Sequence, residues 1–216
     1  MELYFSPMAC SLASRITLYE AGAQAQYHCV DAKTKTTLDG ADYWQVNPMG
    51  QVPALRTDDG VLLTENAAVL PYLADRFPAA GLAPQGELEQ AQLRQWIGFI
   101  GTELHKAVFV PLLDDKAAAD VKAYARDKAA LRLDVLQAHL SQHEHLVGGF
   151  SVADAYLTAV LNWAPYAGVD LQPWPAVRQY HQRMTRRPHV ARAIGEEFEL
   201  YKQELARHAQ PRAAAA

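Results

Sequence analysis

The chain has 216 residues, half of them hydrophobic and a fifth charged, with 20 Lys+Arg against 24 Asp+Glu for a net charge of −4. Disorder is excluded by that balance, and a pI near 6.0 lacks the basic footprint a nucleic-acid partner needs. Two cysteines, Cys10 and Cys29, exclude a disulfide scaffold and point to a reducing compartment.

In chain order, Leu3-Tyr4-Phe5 reads as a short strand stopped by Ser6-Pro7. Ser11 to Ala21 carries Leu12, Ile16 and Tyr19 at helical spacing, with Gly22 as the stop. Gln26 to Val30 is a second strand, which makes a parallel β-α-β unit. Val52 to Thr57 and Val61 to Thr64 flank Asp58-Asp59-Gly60, a strong hairpin signal. A helix follows from Glu65 to about Phe77, with Ala68, Leu70, Tyr72 and Leu73 available for its buried face.

After Pro78 the strand signals stop, and the Pro/Gly/Ala stretch 79–86 reads as a linker between a first domain, 1–78, and a second, 87–207. The second domain is all helical: Leu88 to about Leu113, Ala117 to His143, Val152 to Ala167, Pro175 to Arg187 and His189 to Arg207. Pro111 should end or kink the first of these. Ser151-Val152-Ala153-Asp154 is a capping box. Residues 208–216 read as a frayed tail. No apolar run reaches membrane-spanning length before a charge or Pro, and the N-terminus lacks a signal-peptide pattern, so a cytoplasmic protein without a membrane partner is expected.

Cys10 stands between a strand end and a helix start, where unpaired amides favour a thiolate, so a lowered pKa is expected; burial as a small apolar residue is the bland alternative. Ser11 caps the helix or donates to a sulfur. A cis Val52-Pro53 bond after Gln51 would turn the Val52 amide and carbonyl outward to pair with an extended peptide. Glu65 complements the next helix dipole or binds an ammonium, while Asn66 and the helix-start amides suit a carboxylate. His105 is a lone helix histidine. His139, His143 and His145 read as solvated, and no metal-ligand spacing is found, so no metal is expected.

Ser6-Pro7-Met8-Ala9-Cys10-Ser11-Leu12, Asn47-Pro48-Met49-Gly50-Gln51-Val52-Pro53-Ala54-Leu55 and Leu63-Thr64-Glu65-Asn66 resemble the cytosolic glutathione transferases, most of all the bacterial beta class. Thr102-Glu103-Leu104-His105-Lys106 and Phe150-Ser151-Val152-Ala153-Asp154-Ala155-Tyr156 carry the likeness into the second domain. The resemblance implies a thioredoxin-like β-α-β-β-β-α domain followed by an all-helical domain, in a homodimer. It implies glutathione as co-substrate: Cys10 and Ser11 at its sulfur, and His105 in the catalytic set. Gln51, Val52 and Pro53 would lie along the cysteinyl unit, Glu65 and Asn66 at the γ-glutamyl head, and Lys35 at the glycyl carboxylate. Glu103 would reach glutathione in the partner subunit. Attack of the thiolate on a small hydrophobic electrophile is the implied detoxifying reaction, in a cleft lined by Met8, Phe109 and Trp163. Thiol–disulfide reduction or peroxide reduction through Cys10, isomerisation, dehalogenation and non-catalytic ligand binding stay open as alternatives. Gly98 stands where such enzymes often carry Asn, and Phe5 where they often carry Tyr.

Overall fold

The structure, a computed structural model, describes residues 1–209. It opens with β1 (Glu2–Phe5), α1 (Leu12–Glu20) and β2 (Gln26–Cys29), and continues after a long connection with β3 (Ala54–Arg56), β4 (Leu62–Thr64) and α2 (Asn66–Arg76). The sheet order is β2-β1-β3-β4. β1 and β2 run parallel with Leu3 opposite Tyr27, and β1 and β3 are antiparallel with Leu3 opposite Leu55. The hairpin turn closes through the Thr57 amide to the Val61 carbonyl, and Gly60 takes φ +80, a conformation that costs glycine little.

Alternation puts Leu3, Phe5 and Leu55 on one face of the sheet, under Leu18, Val69 and Leu73 from the helices. Tyr4 and Ala54 face the other way, against Val30 and Tyr43. The buried stripe of α2 is Asn66, Val69, Leu70, Leu73 and Ala74, so Ala68 lies outside it.

The second half is helical: α3 (Glu87–Phe99), a wide-turned segment Ile100–Phe109, α4 (Val110–Leu113), α5 (Ala119–Leu140), α6 (Val152–Leu161), α7 (Pro175–Thr185) and α8 (Pro188–Ala209). Pro111 does not end the first helix. The Val110 amide reaches back five residues to the His105 carbonyl, so the backbone widens ahead of the residue that has no N–H to give. The continuous run Glu87–Leu113 is long and apolar enough, by length and composition, to cross a membrane. Here Leu93, Ile97, Ile100, Leu104 and Val108 are instead buried in the protein core. Every residue of α6 is buried. Its capping box forms, with the Ser151 amide and hydroxyl both donating to Asp154 Oδ2, at 2.9 and 2.7 Å.

α1 packs on α6 and α8, which joins the two halves. Helix α8 runs through His208 and Ala209, so a tail does not begin at 208; residues 210–216 lie outside the described part of the chain.

Candidate active site

The loop after β1 turns sharply to start α1, and Met8 takes φ +60 there. A non-glycine residue in that region needs outside support. The helical half supplies it on both sides of Met8. Its amide donates to Glu197 Oε2 at 2.8 Å, and its carbonyl accepts the Trp163 indole N–H at 2.8 Å. Glu197 is wholly buried, and burial lifts its carboxyl to about 8 despite Arg15 nearby.

Cys10 follows two residues later. Its thiol donates to the Val52 carbonyl at 3.2 Å. The expected lowering of its pKa is overturned: burial pushes the thiol up to about 12, and the Lys106 charge only partly opposes this. The dipole argument fails because Cys10 precedes a short helix inside a desolvated corner, where removing water from a thiolate outweighs a few amides. Ser11 is corrected as well. It is fully buried and turns back into the loop, accepting from the Ser6 amide at 3.2 Å and donating to the Ser6 carbonyl. It makes no side-chain cap on α1.

The Val52-Pro53 bond is cis. The Gln51 carbonyl accepts the Tyr43 hydroxyl at 2.7 Å and the Asn47 amide at 2.8 Å, which fixes the approach to this bond. The Lys35 ammonium donates to the Gly50 carbonyl at 2.9 Å and sits beside the same turn. Gly50 takes φ +59 there, which strains any other residue, and a Cβ would lie 2.7 Å from the Trp44 ring, which would have to move. Glu65 is exposed at φ +68 and makes no side-chain cap. Asn66 is buried and already engaged. It donates one N–H to the Cys10 carbonyl at 3.1 Å and accepts the Ser14 hydroxyl, so it braces Cys10.

From the helical half, His105 Nδ1 lies 2.8 Å from the Tyr156 hydroxyl, and its ring meets Trp163 edge-on. Burial, with Lys106 beside it, depresses His105 to about 4, so the imidazole is neutral at physiological pH. Burial also holds the Tyr156 phenol well above its usual range, with the nearby Cys10 and Glu65 adding to the rise and Asn66 opposing it. Glu103 stands apart from this group in an ion pair with Arg132.

A cleft of about 320 Å³ opens between the halves, lined by Met8, Leu113, Trp163, Tyr166, Tyr201 and Glu204 among others. Phe109 is not in its lining; it is buried behind Trp163. Cys10, Val52, Asn66, Glu65, Lys106, His105 and Tyr156 thus come together. Ser11, Phe109 and Glu103 take other positions. Sequence reasoning missed Tyr156, Lys106 and Glu197. The first two stand inside quoted motifs, and Glu197 offered no signal beyond a charged residue on a helix.

The family models for the N-terminal and C-terminal domains of glutathione S-transferase match residues 7–76 and 102–188. The chain is 40% identical to glutathione S-transferase GstA of Escherichia coli O157:H7 over 91% of this chain and 98% of that one. Among solved structures, a sphingomonad glutathione S-transferase complexed with glutathione is 42% identical at a TM-score of 0.88, covering 92% of this chain and 99% of that one. The beta-class enzyme of Sphingomonas chungbukensis is also 42% identical, at 0.87, covering 91% and 98%.

Proposed function

The chain belongs to the glutathione S-transferase family, and from that premise we propose how its site works and on what. It is a glutathione transferase with a thioredoxin-like domain and an all-helical domain, of the beta-class type. Glutathione lies extended along the Val52 edge, where the Val52 amide has no partner within the described residues. Its γ-glutamyl ammonium meets Glu65, its γ-glutamyl carboxylate the amides at the start of α2, and its glycyl carboxylate Lys35. The sulfur comes to rest against Cys10.

Free thiols of this kind titrate at roughly 8.5, so most glutathione arrives protonated. Cys10 holds its own proton more tightly and, once glutathione binds, turns its S–H from the Val52 carbonyl to donate to the glutathione thiolate. Lys106 adds a positive charge, and neutral His105 with Tyr156 supplies dipoles fixed in a water-poor corner. The thiol proton passes to solvent, and the thiolate attacks the electrophilic carbon of a hydrophobic substrate seated in the Met8–Trp163 cleft; the new S–C bond forms as the leaving group, chloride in a chloronitroarene, departs with the electrons of its bond.

The observation carrying this choice is the Cys10 thiol turned onto the Val52 carbonyl as a donor at 3.2 Å, with burial favouring its protonated form. A protonated thiol is a poor nucleophile, so conjugation is favoured over disulfide exchange through Cys10. Both cysteines are free, which supports a reducing, cytoplasmic setting. Leu88, Leu131 and Val135 stay exposed on the long helices α3 and α5, which supports a homodimer.

Turnover of a chloronitroarene with glutathione tests the reading, in wild type and Cys10→Ala. Conjugation should run well above the protein-free rate and fall by no more than about tenfold in the variant, the worth of one hydrogen bond. A wild-type rate equal to the protein-free rate overturns it, and disulfide reduction abolished together with conjugation in Cys10→Ala shifts the assignment to a reductase.

A further inference from the structure

At the Glu204 edge of the cleft between the halves, the fold assembles a group that spacing along the chain hid. Asp31 stands just after β2, while Glu204 and His208 lie one turn apart on the last stretch of α8. One ligand atom from each lies within 4.8 Å of the other two. We propose that Asp31, Glu204 and His208 bind one divalent cation of the zinc class, which clamps the end of α8 to the loop after β2.

The donor set suits that ion. One imidazole nitrogen and two carboxylate oxygens are three of the four ligands that zinc takes, with water in the fourth position. Bond lengths near 2.0–2.2 Å place tetrahedral ligands about 3.4 Å apart, so binding asks for a side-chain adjustment of about 1 Å, within rotamer reach.

Asp31 is oriented in advance. Its Oδ1 accepts the amides of Lys33 and Thr34 at 2.9 and 3.0 Å, which leaves Oδ2 facing His208 Nε2 at 2.8 Å. Outer hydrogen bonds of this kind fix metal-binding carboxylates. His208 Nε2 is sealed from solvent and has Asp31 Oδ2 as its near neighbour among the described residues, so an ion would insert between these two atoms. Lastly, Asp31 and Glu204 are each only 7% exposed. Two carboxylates buried side by side call for positive charge. Among the described residues no Lys or Arg nitrogen comes within ion-pairing distance of either. A protonated His208 would balance one; a divalent cation balances both. Access is open through a cleft of about 930 Å³ that reaches Asp31 and His208.

The test uses the full chain, stripped with a chelator and titrated with Zn²⁺ by calorimetry and with Co²⁺ by visible absorption. One equivalent should bind, with the intense absorption of a low-symmetry cobalt site. A hundredfold excess of Zn²⁺ over its Kd should raise the thermal midpoint by about 5 °C or more. His208→Ala and Glu204→Gln should each weaken binding about 100-fold and remove the midpoint rise. His208→Ala without metal should keep wild-type conjugation, which reports its fold if Glu204→Gln proves unstable. Absence of binding, or binding that both variants leave intact because the ion sits at Cys10 or at the stacked His139 and His143, overturns the proposal. So does a His208→Ala effect on stability with no metal uptake by wild type, which marks an ion pair and nothing more.

Discussion

Met8, Lys35 and Glu65 are the non-glycine residues with positive φ among the described residues; all lie in the thioredoxin-like half, and the helical half holds none. The first half presents its chemistry through bent backbone: the Val52 amide and carbonyl, the turn before Cys10, the start of α2. The second half is helical, and its contribution is side chains: Glu197 and Tyr156 on α8 and α6, His105 on the wide-turned segment, and Trp163 in the turn after α6. Irregular backbone suits recognition of a peptide-like ligand, since amides and carbonyls read another backbone. It also needs bracing, and the helices supply it at Met8. The two halves therefore fail differently when perturbed, and substitutions can be chosen to separate them.

The largest effect should come from inside the helical half. Asp154 is fully buried and accepts four hydrogen bonds, from the Ser151 amide and hydroxyl, the Leu146 amide and the Tyr180 hydroxyl. Asp154→Ala leaves those donors unsatisfied in the core, at a cost of about 3–5 kcal/mol. For a chain of this length the thermal midpoint should drop by about 6–20 °C. The fraction that remains folded should keep its specific activity, because Asp154 touches only the helical half. A drop under about 3 °C would show that the capping box is not the pillar of α6.

Glu197→Ala cuts the link between the halves. Met8 loses the acceptor of its amide, the turn before Cys10 relaxes, and kcat/KM should fall by ten- to a hundredfold, as about 1 Å of misplacement does. Glu197→Gln keeps an acceptor and should stay within about threefold of wild type. The pH dependence gives a separate check. The folded carboxyl, raised to about 8, binds a proton that the unfolded chain has released. Its contribution to stability is thus complete below the ordinary carboxylate range and is lost as pH rises toward 8. The midpoint difference between wild type and Glu197→Gln should shift against wild type over that window. A pH-independent difference breaks the assignment of that proton to Glu197.

How much of this was legible beforehand follows from what each feature depends on. The β-α-β unit, the Asp-Gly hairpin and the capping box are written within a few neighbouring residues, and each is present in the structure. The wide turn ahead of Pro111 was not legible, because a helix can absorb a missing N–H by widening as well as by ending. At the site, residue types and turns were readable, but directions were not. Ser11 turns back to Ser6 five residues before it, which helix-start chemistry does not announce, and Asn66 braces Cys10 from 56 residues away, a contact that only the tertiary fold makes. Cys10 shows the sharpest difference. Helix-start amides can be read from sequence, whereas desolvation depends on what packs around the thiol. For the same reason the Asp31–Glu204–His208 group stayed hidden, since its members are far apart along the chain.

Gly98→Asn should have the smallest effect, and it asks whether the helical half can be made to share in ligand recognition. A Cβ at Gly98 meets no heavy atom within 4 Å, and the position is exposed inside α3, so the substitution brings no clash. Replacing a helix-interior glycine should raise stability by about 0.3 kcal/mol, roughly 1 °C. If the new amide reaches bound glutathione, its KM should fall by about two- to tenfold, the range for one added hydrogen bond, with kcat unchanged. An unchanged KM would leave glutathione recognition to the backbone-rich half alone, with α3 serving only as a wall.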